Sequence, residues 1–282
     1  MTTTEVELSI RPMAGALGAE IDGLDLSADL DDATIAAIRA ALVRYHVLAF
    51  RDQELSPDRQ LAFGRRFGEL DTHPFVDGSA AHPEVLDIVT EPDDTVNFGG
   101  GWHSDLTFLE RPDLGSILYA VEVPEVGGDT LFANQHLAYD ALSPTMQAMI
   151  ADLSAVHTPD MQYGQGGLST RSRSMSTHGT DRAGSTVDHP VVRSHPENGR
   201  KGLFVNRAFT ARIRGLRGPE SRALLDFLCD HAVSEAFTCR LSWRPGTLAI
   251  WDNRSVQHYA LHDYAGHRRV MRRITVKGDR PV

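Results

Sequence analysis

The chain has 282 residues, 41% hydrophobic and 23% charged, which is ordinary for a protein able to bury a full core. With 28 Lys+Arg against 38 Asp+Glu its formal charge is −10, so the long-range field repels polyanions and argues against nucleic acid as a partner. The start, Met1-Thr2-Thr3-Thr4-Glu5, lacks the basic and apolar runs of a signal peptide, and no apolar run approaches the ~20 residues that cross a bilayer, so a cytoplasmic protein with no membrane partner is expected.

In chain order, Asp31-Asp32 precede Ile35, Ile38 and Leu42, a helical spacing with acidic residues where the helix dipole favours them. A strand is expected over His46 to Phe50, and Ser56-Pro57 opens a helix over 57–67, with serine as cap and proline at a tolerated first position. β-branched or aromatic runs follow at Val85 to Thr90, Ser116 to Val123 and Thr130 to Ala133, before Ser143-Pro144 opens a helix over 144–153. The stretch from Thr158 to Asp188 has no apolar periodicity and contains Gly164, Gly166 and Gly167; its length suits a lid loop near 158–188. Strands are expected at Pro190 to Arg193 and Leu203 to Val205, a helix from Pro219 through Leu224, Leu225 and Leu228, and strands at Cys239 to Trp243, Thr247 to Trp251 and Arg269 to Val276. Many short strands without regular βαβ alternation predict an α+β, β-rich chain, a β-sandwich or jelly roll with helices outside it, in a single domain over 1–282. The two cysteines, Cys229 and Cys239, have no metal-site or redox spacing and read as small buried apolar groups.

The chemistry concentrates in three places. In Gly99-Gly100-Gly101-Trp102-His103-Ser104-Asp105, a strand would put His103 and Asp105 on one face. A third metal ligand is available at His258, after the polar run Asp252-Asn253-Arg254-Ser255. Two histidines and one carboxylate leave open positions and suit non-haem iron(II), whereas zinc more often takes a closed tetrahedral set or three ligands plus water. The third place is Arg268-Arg269-Val270-Met271-Arg272-Arg273, where parity pairs Arg269 with Arg273 and Arg268 with Arg272. An inward pair needs an anion to meet, and parity alone leaves open which pair that is. His262 and His267 fall in a turn and are expected to face solvent.

These blocks, with Gly127-Gly128-Asp129-Thr130, Phe67-Gly68, His73-Pro74, Leu203-Phe204-Val205-Asn206 and Trp251-Asp252-Asn253-Arg254, occur in order along essentially the whole chain. Together they resemble the taurine dioxygenase and 2,4-dichlorophenoxyacetate dioxygenase (TauD/TfdA) family. The resemblance implies a double-stranded β-helix (jelly roll) with flanking α-helices, and iron(II) held by His103, Asp105 and His258. It implies that Arg269 and Thr130 hold the 2-oxoglutarate cosubstrate, which turns the Arg269–Arg273 face inward. It implies that Arg273, His73, Asn97 and Phe209 meet the substrate.

The reaction implied uses O2 to hydroxylate a small anionic organic substrate, a sulfonate, alkyl sulfate or aryloxyalkanoate, beside a heteroatom, with oxidative cleavage and release of succinate and CO2. Where the taurine enzyme has polar residues before its Trp-His pair, this chain has Asn97-Phe98-Gly99-Gly100-Gly101, a change that reshapes the pocket and counts against taurine itself. The resemblance also implies a homo-oligomer, dimer or tetramer. Two rival readings use the same residues: a zinc-dependent hydrolase on the same ligands, and a catalytically inactive jelly-roll binding protein.

Overall fold

A computed structural model describes residues 6–179, 181 and 183–282. The chain opens with β1 (Ser9–Pro12) and β2 (Ala19–Asp22), then α1 (Asp32–Tyr45), β3 (Val47–Phe50), α2 (Pro57–Arg65), β4 (Leu70–Asp71) and β5 (Leu86–Thr90). β6 (Gly115–Glu122), β7 (Thr130–Asn134), α3 (Gln135–Asp140), α4 (Pro144–Ile150), β8 (Ser154–His157), α5 (Asp160–Tyr163), β9 (Val187–Pro190), β10 (Val192–Ser194) and β11 (Lys201–Leu203) follow. β12 (Thr210–Ile213), α6 (Gly218–His231), β13 (Thr238–Leu241), β14 (Leu248–Asp252), β15 (Val256–Ala260) and β16 (Arg269–Val276) complete it.

The helix signals act as expected. Asp31 accepts from Thr34 N–H at the start of α1, while Ser56 and Ser143 accept from Arg59 and Met146 N–H, each followed by proline in the first turn. α2 stops at Arg65 and α4 at Ile150, both short of the expected ends.

The main sheet has eight strands, ordered β1-β2-β3-β14-β6-β16-β4 with β5 also paired to β16; all its pairings are antiparallel except β2 with β3. A three-stranded sheet, β13-β7-β15, lies opposite, and smaller sheets join β12-β8-β9 and β10-β11. Strand parity sorts two cores. Leu48, Phe50, Ile117, Leu248, Ile250 and Ile274 pack outward under α1 and α2, with Ile38, Leu42 and Leu61. Val47, Ala49, Leu118, Ala120, Ala249, Trp251 and Met271 face inward, against Phe132, Leu241 and Val256 of the small sheet. This two-layer arrangement is the double-stranded β-helix, or jelly roll, with helices packed outside.

Several short strands carried no readable signal: β1, β2, β4, β8, β9 and β12 have four residues or fewer. The expected loop over 158–188 contains α5, a 3-10 turn at Ser169–Arg171, a bridge from Thr177 to Val76 and the first residues of β9. Thr180 and Arg182 of that stretch lie outside the described residues. Among the described residues no helix is long and apolar enough to cross a membrane. Cys229 and Cys239 are buried free thiols, pushed up to about 12 by burial.

Candidate active site and metal centre

β14 belongs to the large sheet and β15 to the small one, so the turn Asn253–Ser255 carries the chain from one layer to the other. His258 then lies mid-strand on β15. His103 pairs with it through a single antiparallel bridge, His103 N to His258 O at 3.0 Å and His258 N to His103 O at 2.7 Å. The two rings lie 4.1 Å apart. Asp105 is not on a strand; it begins a turn in which Leu106 adopts φ 49°. The turn nevertheless delivers the carboxylate to the imidazoles, with Oδ1 3.7 Å from Nε2 of both His103 and His258.

All three residues are buried, and their ligand atoms lie within 4.8 Å of one another. Burial lowers both histidines, His258 to about 3, so each is a neutral imidazole with a lone pair to give. Burial pushes the Asp105 carboxyl up, but His258, Arg273 and His103 outweigh it and hold the group below the usual carboxylate range. Ser116 Oγ donates to Asp105 Oδ2 at 2.8 Å, which leaves Oδ1 as the oxygen facing the histidines. His103 Nδ1 is 2.9 Å from Gly101 O, which fixes its proton there and turns Nε2 toward the carboxylate as acceptor. Two neutral imidazoles and one ionised carboxylate are the donor set that a divalent transition metal accepts.

A cavity open to solvent runs from this cluster, lined by Thr130, Arg269, Arg273, His73, Phe209 and Tyr163 among others. Arg269 and Arg273 therefore face inward, on the parity of Met271, as the resemblance implied. Each has a buried Nε without a partner among the described residues. Arg269 Nη2 donates to Gly128 O at 3.2 Å and its guanidinium lies 5.9 Å from the Tyr264 ring. Arg273 Nη1 reaches Asp105 Oδ1 at 3.3 Å. Arg268 pairs with Glu91 and Glu122 on the surface, and Arg272 with Gln60 and Leu55 O in the outer layer. Trp243 Nε1 donates to Thr130 Oγ1 at 2.9 Å, leaving the threonine proton for another acceptor.

Of the expected substrate residues, His73 and Phe209 line the cavity and Asn97 does not; its amide donates to Ala260 O at 2.9 Å, and Phe98, Gly99 and Gly100 line the wall instead. Phe75 N–H donates to His73 Nδ1 at 3.1 Å, so the ring carries its proton on Nε2, 3.2 Å from the Tyr163 hydroxyl. Burial, then Arg273, lowers His73 to about 3. Tyr163 stacks on Phe75 at 4.6 Å and 6°, and with Gln162 and Ser169 it brings α5 and the following turn into the wall. The sequence offered no periodicity there. Ser116 and Asn253 also escaped assignment, although Asn253 stands inside a quoted block. His262 and His267 are exposed, as expected.

The family model described as "Taurine catabolism dioxygenase TauD, TfdA family" matches residues 9–275. An α-ketoglutarate-dependent (2-oxoglutarate-dependent) sulfate ester dioxygenase of Pseudomonas putida is 38% identical over 98% of this chain and 92% of its own. An alkylsulfatase of Acinetobacter baylyi is 34% identical over 97% and 86%. The crystal structure of a taurine dioxygenase from Burkholderia xenovorans superposes with a TM-score of 0.82 at 36% identity, covering 98% of this chain and 91% of that one. With this fold, this donor cluster and a match over nearly its whole length, the chain belongs to the TauD/TfdA family of 2-oxoglutarate-dependent dioxygenases.

Proposed function

We propose that the protein binds iron(II) through His103, Asp105 and His258, and uses O2 and 2-oxoglutarate to hydroxylate a small organic anion with an apolar, uncharged tail. The observation that carries this reading is one cavity holding the donor triad together with two inward guanidiniums. Arg269 and Arg273 stand four residues apart on one strand face, about 13 Å along the backbone. A single small anion does not satisfy both, whereas a diacid at Arg269 and a second anion at Arg273 do. A zinc hydrolase on the same ligands leaves Arg269 and Thr130 without a partner anion.

Arg269 and Thr130 would grip the distal carboxylate of 2-oxoglutarate, the guanidinium as a fork and the hydroxyl as a single donor. Arg273 would hold the substrate anion together with the Tyr163 hydroxyl, which accepts from His73 Nε2–H and so has its own proton to donate, and a carbon at a set distance from the anion then sits beside the triad. Phe209 and Phe98 would exclude water around that carbon. Iron(II), when bound, supplies the oxygen chemistry, oxidising 2-oxoglutarate to succinate and CO2 while hydroxylating the substrate. A hydroxyl placed beside a sulfate ester, sulfonate or aryloxy group gives a product that cleaves.

The wall explains the tail. Asp105 is the sole acidic residue among the described residues lining the cavity, and its charge faces the triad and Arg273, so an ammonium group has no counter-ion among them. Apolar side chains such as Ile88, Phe98, Leu106 and Leu118 offer burial to alkyl or aryl carbons. Alkyl sulfates, alkanesulfonates and aryloxyalkanoates fit this description, and aminosulfonates do not. The segment carrying Tyr163 serves as a cover, so cleavage between residues 160 and 178 should slow when metal, 2-oxoglutarate and substrate are all present. Buried free thiols at Cys229 and Cys239 accord with a reducing, cytoplasmic setting.

The test is anaerobic addition of iron(II) and 2-oxoglutarate, followed by succinate assay in air with the three substrate classes and taurine. A weak visible metal-to-ligand charge-transfer band and succinate release with an alkyl or aryl anion are expected. Absence of the band, or equal turnover with zinc and no oxygen, would overturn the reading.

A further inference from the structure

We infer that Asn253 is the positioning residue for the carboxylate arm of the metal centre, holding Asp105 in place through the backbone on both sides of its α-carbon. The side chain, 2% exposed, closes a cyclic pair with one residue: Asp105 N–H donates to Asn253 Oδ1 at 2.7 Å, and Asn253 Nδ2 donates to Asp105 O at 2.9 Å. The same Nδ2 reaches Asp113 O at 3.2 Å, and Asn253 N–H donates to Leu114 O at 2.9 Å. One amide therefore stands in for a strand partner exactly where the chain has none, since Asp105 lies in a turn outside both sheets.

That turn needs holding. Leu106, the next residue, sits at φ 49°, in the left-handed region that a residue with a Cβ rarely adopts unless its surroundings hold it there. Released, the 105–106 backbone would relax toward ordinary angles and swing the carboxylate away from His103 and His258. Asn253 is also five residues before His258 and rides on the same turn. A single segment thus fixes the third ligand directly through β15 and the second through a side-chain clamp, so the two arms of the centre keep one spacing. The neighbouring contacts act elsewhere: Ser104 Oγ donates to Val256 O, and Ser116 holds the Asp105 carboxylate rather than its backbone.

This inference rests on the metal reading above, and the experiment separates the two. Metal-free wild type, Asn253→Ala and Asn253→Asp are titrated anaerobically with iron(II), followed by tryptophan fluorescence, and melted without metal. Ser221→Ala is the control, because it removes a buried partner of Ile213 N–H on α6, away from the triad. Failure of wild type to bind iron would sink the metal reading itself. Given wild-type binding, Asn253→Ala should bind iron 10- to 100-fold more weakly and shift the visible band of the 2-oxoglutarate complex. Ser221→Ala should lower the melting temperature yet keep wild-type affinity. Asn253→Asp retains the acceptor for Asp105 N–H and loses both donated bonds, so its affinity should fall between the two; it decides the matter if Asn253→Ala does not fold. Affinity within twofold of wild type in a folded Asn253 variant, or an equal loss in Ser221→Ala, overturns the inference.

Discussion

Replacing Arg269 with methionine should have opposite effects on stability and on cosubstrate binding. Arg269 is 3% exposed, its Nε has no partner among the described residues, and its Nη2 donates to Gly128 O at 3.2 Å. Burial lowers its pKa, the signature of a cation held where water would serve it better. Leaving a buried donor unpaired costs about 1–3 kcal/mol, more for a charge. An apolar chain of similar length removes that cost, and at roughly 2–4 °C per kcal/mol the ligand-free protein should melt several degrees higher. Breaking a buried carboxylate–guanidinium pair costs about 3–5 kcal/mol, so 2-oxoglutarate should bind roughly 10²- to 4 × 10³-fold more weakly. Anaerobic titration of the visible band measures the second effect and thermal melts the first. Arg272→Met provides the contrast. Its guanidinium is satisfied by Gln60, Leu55 O and the Tyr119 ring at 5.0 Å, so this variant should melt lower and bind 2-oxoglutarate normally. Cosubstrate affinity within tenfold of wild type in Arg269→Met, or a lower melting temperature, would refute the argument.

Further outcomes follow from the same geometry. His103→Ala or Asp105→Ala should weaken iron binding by two orders of magnitude or more, while exposed His262→Ala leaves binding and succinate release within twofold; equal losses in all three would undo the ligand set. Tyr163→Phe removes the hydroxyl 3.2 Å from His73 Nε2 and should raise the substrate KM about 2- to 12-fold with the 2-oxoglutarate KM unchanged, whereas an unmoved substrate KM would take α5 out of the substrate site. Burial lowers His46 and His157 from 6.5 to about 3 and His136 to about 4. Below pH 6.5 the unfolded chain takes up protons that the folded chain refuses, so stability present above that pH is lost as pH falls toward 4, by up to ~1.4 kcal/mol per unit per histidine. Urea midpoints measured from pH 7 to 4 should fall steeply, and a flat profile would contradict the neutral assignment.

The sequence showed the site more clearly than the path the chain takes to build it. His103, Asp105 and His258 are legible because their residue types and the order of surrounding blocks are specific, and Arg269 because the resemblance resolved a parity that the strand alone left open. The capped helices were legible because serine, aspartate and proline act within four residues. β4 and β9 were not, because strands of four residues or fewer that take their partners from distant chain, β16 and β8 here, leave little alternation to read. The contribution of Tyr163 was hidden for the same reason: its stacking on Phe75 is a contact across 88 residues, with no local pattern. Asn97 shows the converse. A block can match while its side chain turns to a backbone carbonyl, here Ala260 O, and leaves the wall to its neighbours.

The Trp251–His258 segment joins these observations physically. To carry His258 from the large sheet to the small one, the chain must turn inside the protein, and every residue from Trp251 to His258 is buried. A buried turn exposes its amides to nothing, so each must find a partner inside the protein: Asn253 N–H donates to Leu114 O at 2.9 Å and Ser255 N–H to Asp252 O at 3.0 Å. Asp252 accepts from Arg254 N–H at 3.0 Å, and its charge is met by the Arg254 guanidinium and by His195 Nε2 at 2.9 Å. Glu197 closes the second side of Arg254 at 2.7 Å and is itself held by Arg39. Such a network contributes little net stability, because desolvation offsets most of the attraction, yet any slip of the turn would leave a buried charge alone. The aspartate and arginine therefore make one register of the turn far more favourable than its neighbours, and that register is the one in which Asn253 meets Asp105 and His258 meets His103.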